Sequence, residues 1–302
     1  MSFFDQLIAK SLPIVPRKIV GQVSKRYIAG TTFESAATVI RALNHKAMMA
    51  TIDILGEHIA ERRAALQVRS DWEAVIPRIT QEGLNSNISV KLTQLGLQID
   101  PDFCYSNLRI LVEMAAEQKN FVRIDMEDSG TTDLTLDLYR RLRAEGHTNI
   151  GVVLQAYMRR SEADARALIA DGSNVRLCKG IYREPPEIAY QGKEEVRRNF
   201  MRLLEQLIGG GCYVGIATHD DVLIDESYAY LAKHATKWDR YEFQMLLGVK
   251  EAKRNSIVAD GHRLRVYVPF GEQWYAYSVR RLKENPQIAG YIVRALIMRN
   301  GS

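Results

Sequence analysis

From about residue 48 onward the chain repeats one rhythm, in which a short apolar or alternating run is followed by an amphipathic stretch. Eight runs carry it: MATIDIL (49–55), NISVKLTQL (87–95), FVRIDME (121–127), IGVVLQAY (150–157), VRLCKG (175–180), YVGIATH (213–219), YEFQMLLG (241–248) and RLRVYVPFG (263–271). Each gap has room for one helix, the connection that parallel strands need. Helix start signals stand where they should, with Asp100–Pro101 before DFCYSNLRILVEMA and Ser161 before EADARALIA. Eight such units in roughly 250 residues is the arithmetic of a closed (β/α)8 barrel. The open alternative is a doubly wound sheet, whose dinucleotide-binding form wants G-x-G-x-x-G after the first strand. The chain has none, and the GGG at 209–211 precedes a strand and reads as a helix stop.

Residues 1–45 read as a helical segment, with Thr31 and Glu34 forming a capping box before FESAATVIRALNHKA. The barrel is expected over 46–302, with no linker, low-complexity stretch or second domain. In a closed barrel one face of each strand meets the helices and the other points into the lumen. The period of two then sorts the side chains. Ile88, Val90 and Leu92 oppose Ser89, Lys91 and Thr93; Val122, Ile124 and Met126 oppose Arg123, Asp125 and Glu127. Gln155 shares a face with Val153 and Tyr157; Arg176 and Cys178 oppose Val175 and Leu177. Glu242 and Gln244 oppose Phe243 and Met245; Arg265 and Tyr267 oppose Leu264, Val266 and Val268. The lumen is therefore polar and charged, and such groups are costly unless paired or ligand-bound. Arg123, Glu127, Glu242 and Arg265 lie lower on their strands and divide between structural salt bridges and ligand contacts. Lys91, Asp125, Gln155, Arg176, Lys179 and Tyr267 lie at C-terminal strand ends, where barrel enzymes place their chemistry.

Composition narrows the function classes. The chain has 302 residues, 46% of them hydrophobic and 25% charged, as in an ordinary soluble globular protein. Its net charge of +5 is dispersed along the chain rather than gathered into a stripe with interleaved aromatics, so no nucleic-acid partner is expected. Cys104, Cys178 and Cys212 are odd in number and form no C-x-x-C pair, which points to a reducing cytoplasm. No apolar run reaches the roughly 18 residues a spanning helix needs. Metal catalysis is weakly supported, because His219–Asp220 stands without a tight ligand cluster. G-x-S-x-G is absent, and Asp125, Glu127 and Asp128 crowd one strand end instead of flanking a scissile bond. Two chemistries remain on the residues alone. One is a Schiff-base aldolase using Lys179 or Lys91; the other is a cofactor enzyme with an anionic cofactor and an anionic substrate.

Near the end, YAYSVRRLKE places Tyr277, Arg280, Arg281 and Glu284 on one helical face. Such a face is either solvated or an anion clamp, since guanidinium forks match carboxylates. The ordered set VKLTQLG, RIDMEDS, VVLQAY, VRLCKGIYRE, IATHD, YEFQMLLGV, VYVPFG and Y-x-x-R-R-x-x-E resembles the monofunctional bacterial proline dehydrogenases over nearly every strand end from about 85 to 284. The resemblance implies a distorted (β/α)8 TIM-type barrel with N-terminal helices, without the aldehyde-dehydrogenase half of the bifunctional enzymes. It implies FAD, oxidation of L-proline to Δ1-pyrroline-5-carboxylate, and a quinone as electron acceptor, hence a cytoplasmic protein with peripheral contact at the membrane. It also implies site roles. Arg280, Arg281 and Lys91 would hold the proline carboxylate, Asp125 would place Lys91 and the amine, and Arg176 would face the reacting part of the flavin. Gln155 would bond the flavin ring, and Met126, Lys179, Gly180, Ile181, Thr218 and His219 would contact FAD. Tyr182, Leu246, Tyr267 and Tyr277 would wall the proline ring, with Glu284 ordering the arginine helix or contacting the ligand.

Overall fold

The computed structural model describes Gly21, residues 24–275, Tyr277 and Ser278. Eight parallel strands close into a barrel in chain order: β1 Met49–Ile54, β2 Ser86–Val90, β3 Val122–Ile124, β4 Ile150–Gln155, β5 Asn174–Cys178, β6 Tyr213–Ala217, β7 Tyr241–Leu246 and β8 Leu264–Phe270. Closure runs through β1 and β8, with Ile52 beside Val268 and Thr51 beside Tyr267. The helices are α1 Phe33–Asn44, α2 Arg62–Gln81, α3 Pro101–Glu117, α4 Ser129–Ala144, α5 Ser161–Ala170, α6 Lys193–Gly209, α7 Asp221–Lys233 and α8 Glu251–Ala259. Helix α1 precedes the first strand and packs across β1 and β8, while α2 to α8 follow β1 to β7.

The outward strand faces carry the core. Ile88, Val90, Val122, Ile124, Val175, Leu177, Val214, Ile216, Val266 and Val268 are all fully buried beneath the helices. Burying each such side chain contributes about 1.5–3 kcal/mol. Packing on this outer layer leaves the lumen free to be polar.

Several local expectations change. The cap of α1 is Thr32, whose hydroxyl accepts from Ser35 N at 3.4 Å, so the Thr31–Glu34 box does not form. Glu34 turns instead to Arg78 on α2, at 2.7 Å. Asp100 caps α3 as expected, accepting from Asp102 N and Phe103 N with Pro101 at the first position. Ser161 is the first residue of α5 rather than its cap, and its hydroxyl donates to Gln155 O at 2.7 Å. Strand β2 stops at Val90, because the next amides bond locally: Gln94 N to Lys91 O, Leu95 N and Leu97 N to Leu92 O. Leu92 and Leu95 are buried without being strand residues, which is why the alternation there looked longer than the strand. Thr93 thus lies in a turn, not on the luminal face. Strand β3 is similarly short, so Asp125, Met126 and Glu127 form the loop at its mouth.

Inside the lumen, Glu242 and Arg265 do form a salt bridge, with Arg265 Nε 2.6 Å from Oε1 and Nη2 3.1 Å from Oε2. Tyr213 also donates to Glu242, at 2.7 Å. Burial opposes the Glu242 charge, but Arg265 outweighs it and holds the carboxyl down at about 2. The other two residues grouped with them behave differently. Arg123 forms no salt bridge among the described residues; it donates to Val152 O at 2.7 Å, to Asn174 O at 2.8 Å and to the Asn174 side chain. Burial, with Arg176 nearby, pulls its guanidinium down to about 9. Glu127 is not low in the lumen but beyond the end of β3, where it accepts from Thr93 N at 3.0 Å and from the Thr93 hydroxyl. Burial raises its carboxyl above the ordinary range.

Candidate active site

A cavity of about 1730 Å³ opens at the C-terminal ends of the strands. Every site residue expected from the sequence and present among the described residues lines it. Arg280, Arg281 and Glu284 lie outside the described residues. Tyr277 is buried with Tyr27, Ile28 and Leu55, beside the chain that leaves β1.

The cavity floor is a network centred on Asp125. Its Oδ1 accepts from Arg176 Nη1 and from the Ser89 hydroxyl, each at 2.7 Å. Its Oδ2 accepts from the Tyr267 hydroxyl at 3.0 Å and lies 3.6 Å from Lys91 Nζ. Lys91 Nζ donates to Asp53 Oδ1 at 2.8 Å and to the Tyr267 hydroxyl at 3.3 Å. Four strands and the turn after β2 thus converge on one point. Burial alone would raise Asp125, but Arg176, Lys91 and the hydroxyls outweigh it and hold the carboxyl below its usual range. Burial would likewise neutralise Lys91, yet Asp53, Tyr267 and Asp125 hold its ammonium well above the lysine range. Burial pushes the Asp53 carboxyl up and Lys91 pulls it back; with an ammonium at 2.8 Å the two form an ion pair. Tyr267 is pushed well up by burial and the adjacent carboxylates, so its phenol keeps its proton and donates it to Asp125.

Asp53 is not among the residues that the sequence motifs point to. Its one signal is that it is the single charged residue of its strand, on the same face as Thr51. Alternation puts Ser89 and Gln244 on the luminal face but gives neither a role. Gln244 proves to tie the site to the lumen beneath, since its Oε1 accepts from Arg176 Nε and its Nε2 donates to Glu242 Oε1, both at 2.6 Å.

A second zone lies at the mouth between β5 and β6. Asp220 gathers Lys179 Nζ at 3.2 Å and Arg197 at 2.6 and 2.9 Å, and Lys250 pairs with Asp221 at 2.6 Å. Lys193 lines the same edge. Asp220 stands at about 2, because the Arg197 hydrogen bonds and the Lys179 charge overcome its burial. The Thr218 hydroxyl accepts from Asp220 N at 3.1 Å. His219 Nε2 accepts from Leu246 N at 2.8 Å, which puts the ring proton on Nδ1 and joins the ends of β6 and β7. Gly180, at φ +102°, presses against the Tyr157 ring; a Cβ there would fall 2.1 Å from a ring carbon. The loop beyond is anchored by Glu184, which accepts from Ser129 N and the Ser129 hydroxyl at 2.7 Å each, and it carries Ile181 and Tyr182 to the rim. Among the described residues no group of three His, Cys, Asp or Glu side chains could hold a metal.

A (β/α)8 barrel with a buried charge network at the C-terminal strand ends and a cationic rim has its cavity where barrel enzymes carry their chemistry. Comparison makes this specific. The proline dehydrogenase family model matches residues 36–294. Proline dehydrogenase 1 of Bacillus subtilis (strain 168) is 35% identical over 274 residues, spanning 91% of this chain and 90% of that protein. Proline dehydrogenase of Deinococcus radiodurans is 34% identical over 306 residues, 97% and 99% of the two chains. Among solved structures, proline utilization A (PutA) from Bdellovibrio bacteriovorus, inactivated by N-propargylglycine, superposes with a TM-score of 0.82 at 27% identity, over 87% of this chain and 32% of that one. The chain belongs to the proline dehydrogenase family. Its reaction is the oxidation of proline, the first step of proline catabolism.

Proposed function

We propose that this enzyme binds FAD in the large cavity, oxidises L-proline to Δ1-pyrroline-5-carboxylate by hydride transfer to it, and passes the electrons to a quinone. The observation that carries the reading is the pairing of two zones in one cavity: a cationic rim around Asp220 and a floor where Arg176 and Asp125 meet. About 1730 Å³ exceeds the roughly 300–1,000 Å³ of an ordinary ligand pocket and suits a dinucleotide together with a small substrate. When bound, FAD supplies a two-electron acceptor for the hydride.

The chain's own residues supply binding and electrostatics. Lys179, Lys193 and Arg197 would meet the diphosphate, with Thr218 and His219 beside it. Gly180 lets the backbone approach closely, and Met126, Gln155 and Ile181 would contact the ring system. Gln155 is held for this by donating to Glu127 O at 2.8 Å, which leaves its carbonyl as acceptor. Arg176 would favour negative charge on the reduced acceptor. Arg280, Arg281 and Lys91 would hold the proline carboxylate, and Glu284 would order the arginines. Tyr182, Leu246, Tyr267 and Tyr277 would enclose the ring and exclude water. Asp125, ionised and fixed by three hydrogen-bond donors with the Lys91 ammonium beside it, would orient Lys91 and the substrate amine.

The aldolase reading loses ground on one observation. A Schiff base needs a neutral amine, whereas the Lys91 ammonium faces two carboxylates and is held charged. No helix among the described residues is long and apolar enough to cross a membrane, so contact with a membrane-borne quinone would be peripheral. The purified protein should be yellow, anaerobic proline should bleach it, and a soluble quinone should restore the colour. Colourless protein that cannot be reconstituted with FAD would overturn the reading, and a borohydride-trapped adduct on Lys91 or Lys179 would replace it.

A further inference from the structure

Arg176 is held from two sides. Asp125 Oδ1 accepts from its Nη1 at 2.7 Å, and Gln244 Oε1 accepts from its Nε at 2.6 Å. Nη2 makes no hydrogen bond to a described residue, and Arg176 lines the cavity. The Gln244 amide has no freedom to turn over. Its Nε2 lies 2.6 Å from Glu242 Oε1, an oxygen that also takes Arg265 Nε at 2.6 Å. A carboxylate can only accept and a guanidinium can only donate, so the amide must show nitrogen to Glu242 and oxygen to Arg176. The backbone opposite makes room for it, since a Cβ on Gly215 would come 2.4 Å from Gln244 Nε2. A chain Arg265–Glu242–Gln244–Arg176–Asp125 therefore spans the lumen from the salt bridge beneath to the cavity floor.

We propose that Gln244 is a positioning residue for proline oxidation: it locks the rotation of the Arg176 guanidinium so that Nη2 is directed to the atoms that accept the hydride. The inference rests on the reading that FAD occupies the cavity. Asp125 and the Ser89 hydroxyl, 2.7 and 3.3 Å away, grip the same nitrogen, Nη1, and leave the fork to pivot about it. The second grip, on Nε, removes the pivot. A donor aimed in advance stabilises developing charge without reorganising during the reaction. Gln244 acts through Arg176, and its amide supplies no proton or charge to the reaction.

The test uses FAD-loaded enzyme and two substitutions. Gln244→Met keeps the volume and loses both hydrogen bonds. It should slow reduction of the bound flavin by proline about tenfold and lower the flavin midpoint potential by about 30 mV, the two-electron equivalent of a tenfold change. FAD content and the proline KM should stay near wild type, while the melting temperature falls because Arg176 Nε and Glu242 Oε1 each lose a buried partner. Gln244→Glu places a second carboxyl against Glu242, and like charges so close share a proton. When protonated it imitates the glutamine, so its midpoint potential and reduction rate should recover toward wild type at lower pH, more steeply than wild type itself changes. A folded, FAD-loaded Gln244→Met with wild-type potential and reduction rate would overturn the proposal. Should that variant fail to fold, a Gln244→Glu whose pH profile matches wild type would do the same. Wild-type protein that takes up no FAD would instead overturn the reading of the cavity, and the proposal with it.

Discussion

Arg176 Nη1 and Asp125 Oδ1 lie 2.7 Å apart across the lumen, joining the end of β5 to the end of β3 over 51 residues of chain. Each also has a separate hold on the barrel, Arg176 through Gln244 and Asp125 through Ser89 and Tyr267. The pair is therefore rigid at the point where the reaction is proposed to occur. Arg176→Lys tests what the fork contributes beyond its charge. A lysine can serve Asp125 or Gln244 but lacks the planar geometry that serves both. Turnover should fall about a hundredfold, the size of effect expected for one lost stabilising donor, while FAD stays bound. Steady-state kinetics with a soluble quinone would measure it.

Asp53 is the nearer of the two carboxylates that face Lys91. It is fully buried, and its Oδ1 takes Lys91 Nζ at 2.8 Å. Asp53→Asn leaves the ammonium with Asp125 at 3.6 Å as its remaining carboxylate. Removing one partner of a buried pair typically costs about 3–5 kcal/mol, and the second carboxylate sets the expectation at about 3. Chemical denaturation should show that loss, and Lys91 drawn toward Asp125 should raise the proline KM with FAD content unchanged.

Acid should unfold the barrel partly through Glu242. Its carboxyl is lowered from 4.5 to about 2 in the folded chain, with burial opposing and Arg265 prevailing. A depressed carboxyl stabilises the fold above its unfolded value and loses that contribution as pH falls through the folded one. Between about pH 4.5 and 2 the enzyme should lose about 3 kcal/mol from this group. Glu242→Gln should be less stable than wild type at neutral pH, and the difference should shrink across that window in urea titrations at each pH.

Gly215 is a site where one methyl group should be felt far away. A Cβ there meets Gln244 Nε2 at 2.4 Å, closer than a real side chain tolerates, and the amide is already fixed at both ends. Gly215→Ala should cost about 1–3 kcal/mol in stability, the usual penalty of overpacking. It should also slow flavin reduction in the manner of Gln244→Met, although residue 215 is not among the residues that line the cavity. Rapid-reaction absorbance of the bound flavin would compare the two.

The first part of the loop after β5 is tied to α4 through Glu184. Glu184 accepts from the amide and the hydroxyl of Ser129 at the start of α4. Glu184→Ala should release the segment that carries Ile181 and Tyr182, raise the proline KM several-fold and speed limited trypsin cleavage after Arg183, which is already exposed. Core stability should change by less than about 1 kcal/mol, as for most changes at a surface loop.

Much of this protein was determined by its sequence alone. Eight apolar runs with helices between them set the barrel, and the period of two assigned each side chain to the helix side or the lumen. That logic holds because burial is read from local alternation, which a strand cannot alter without turning every side chain over. Only the tertiary structure decided the partners. Asp53 with Lys91, Gln244 with Arg176, and Arg123 with carbonyls rather than a carboxylate depend on the stagger between strands 29 to 68 residues apart. Periodicity says which face a group occupies but not its height in the lumen, and pairing of charges depends on both. The same limit explains Thr93 and Glu127, which alternation put on neighbouring strands and the fold brought together in the loops above them.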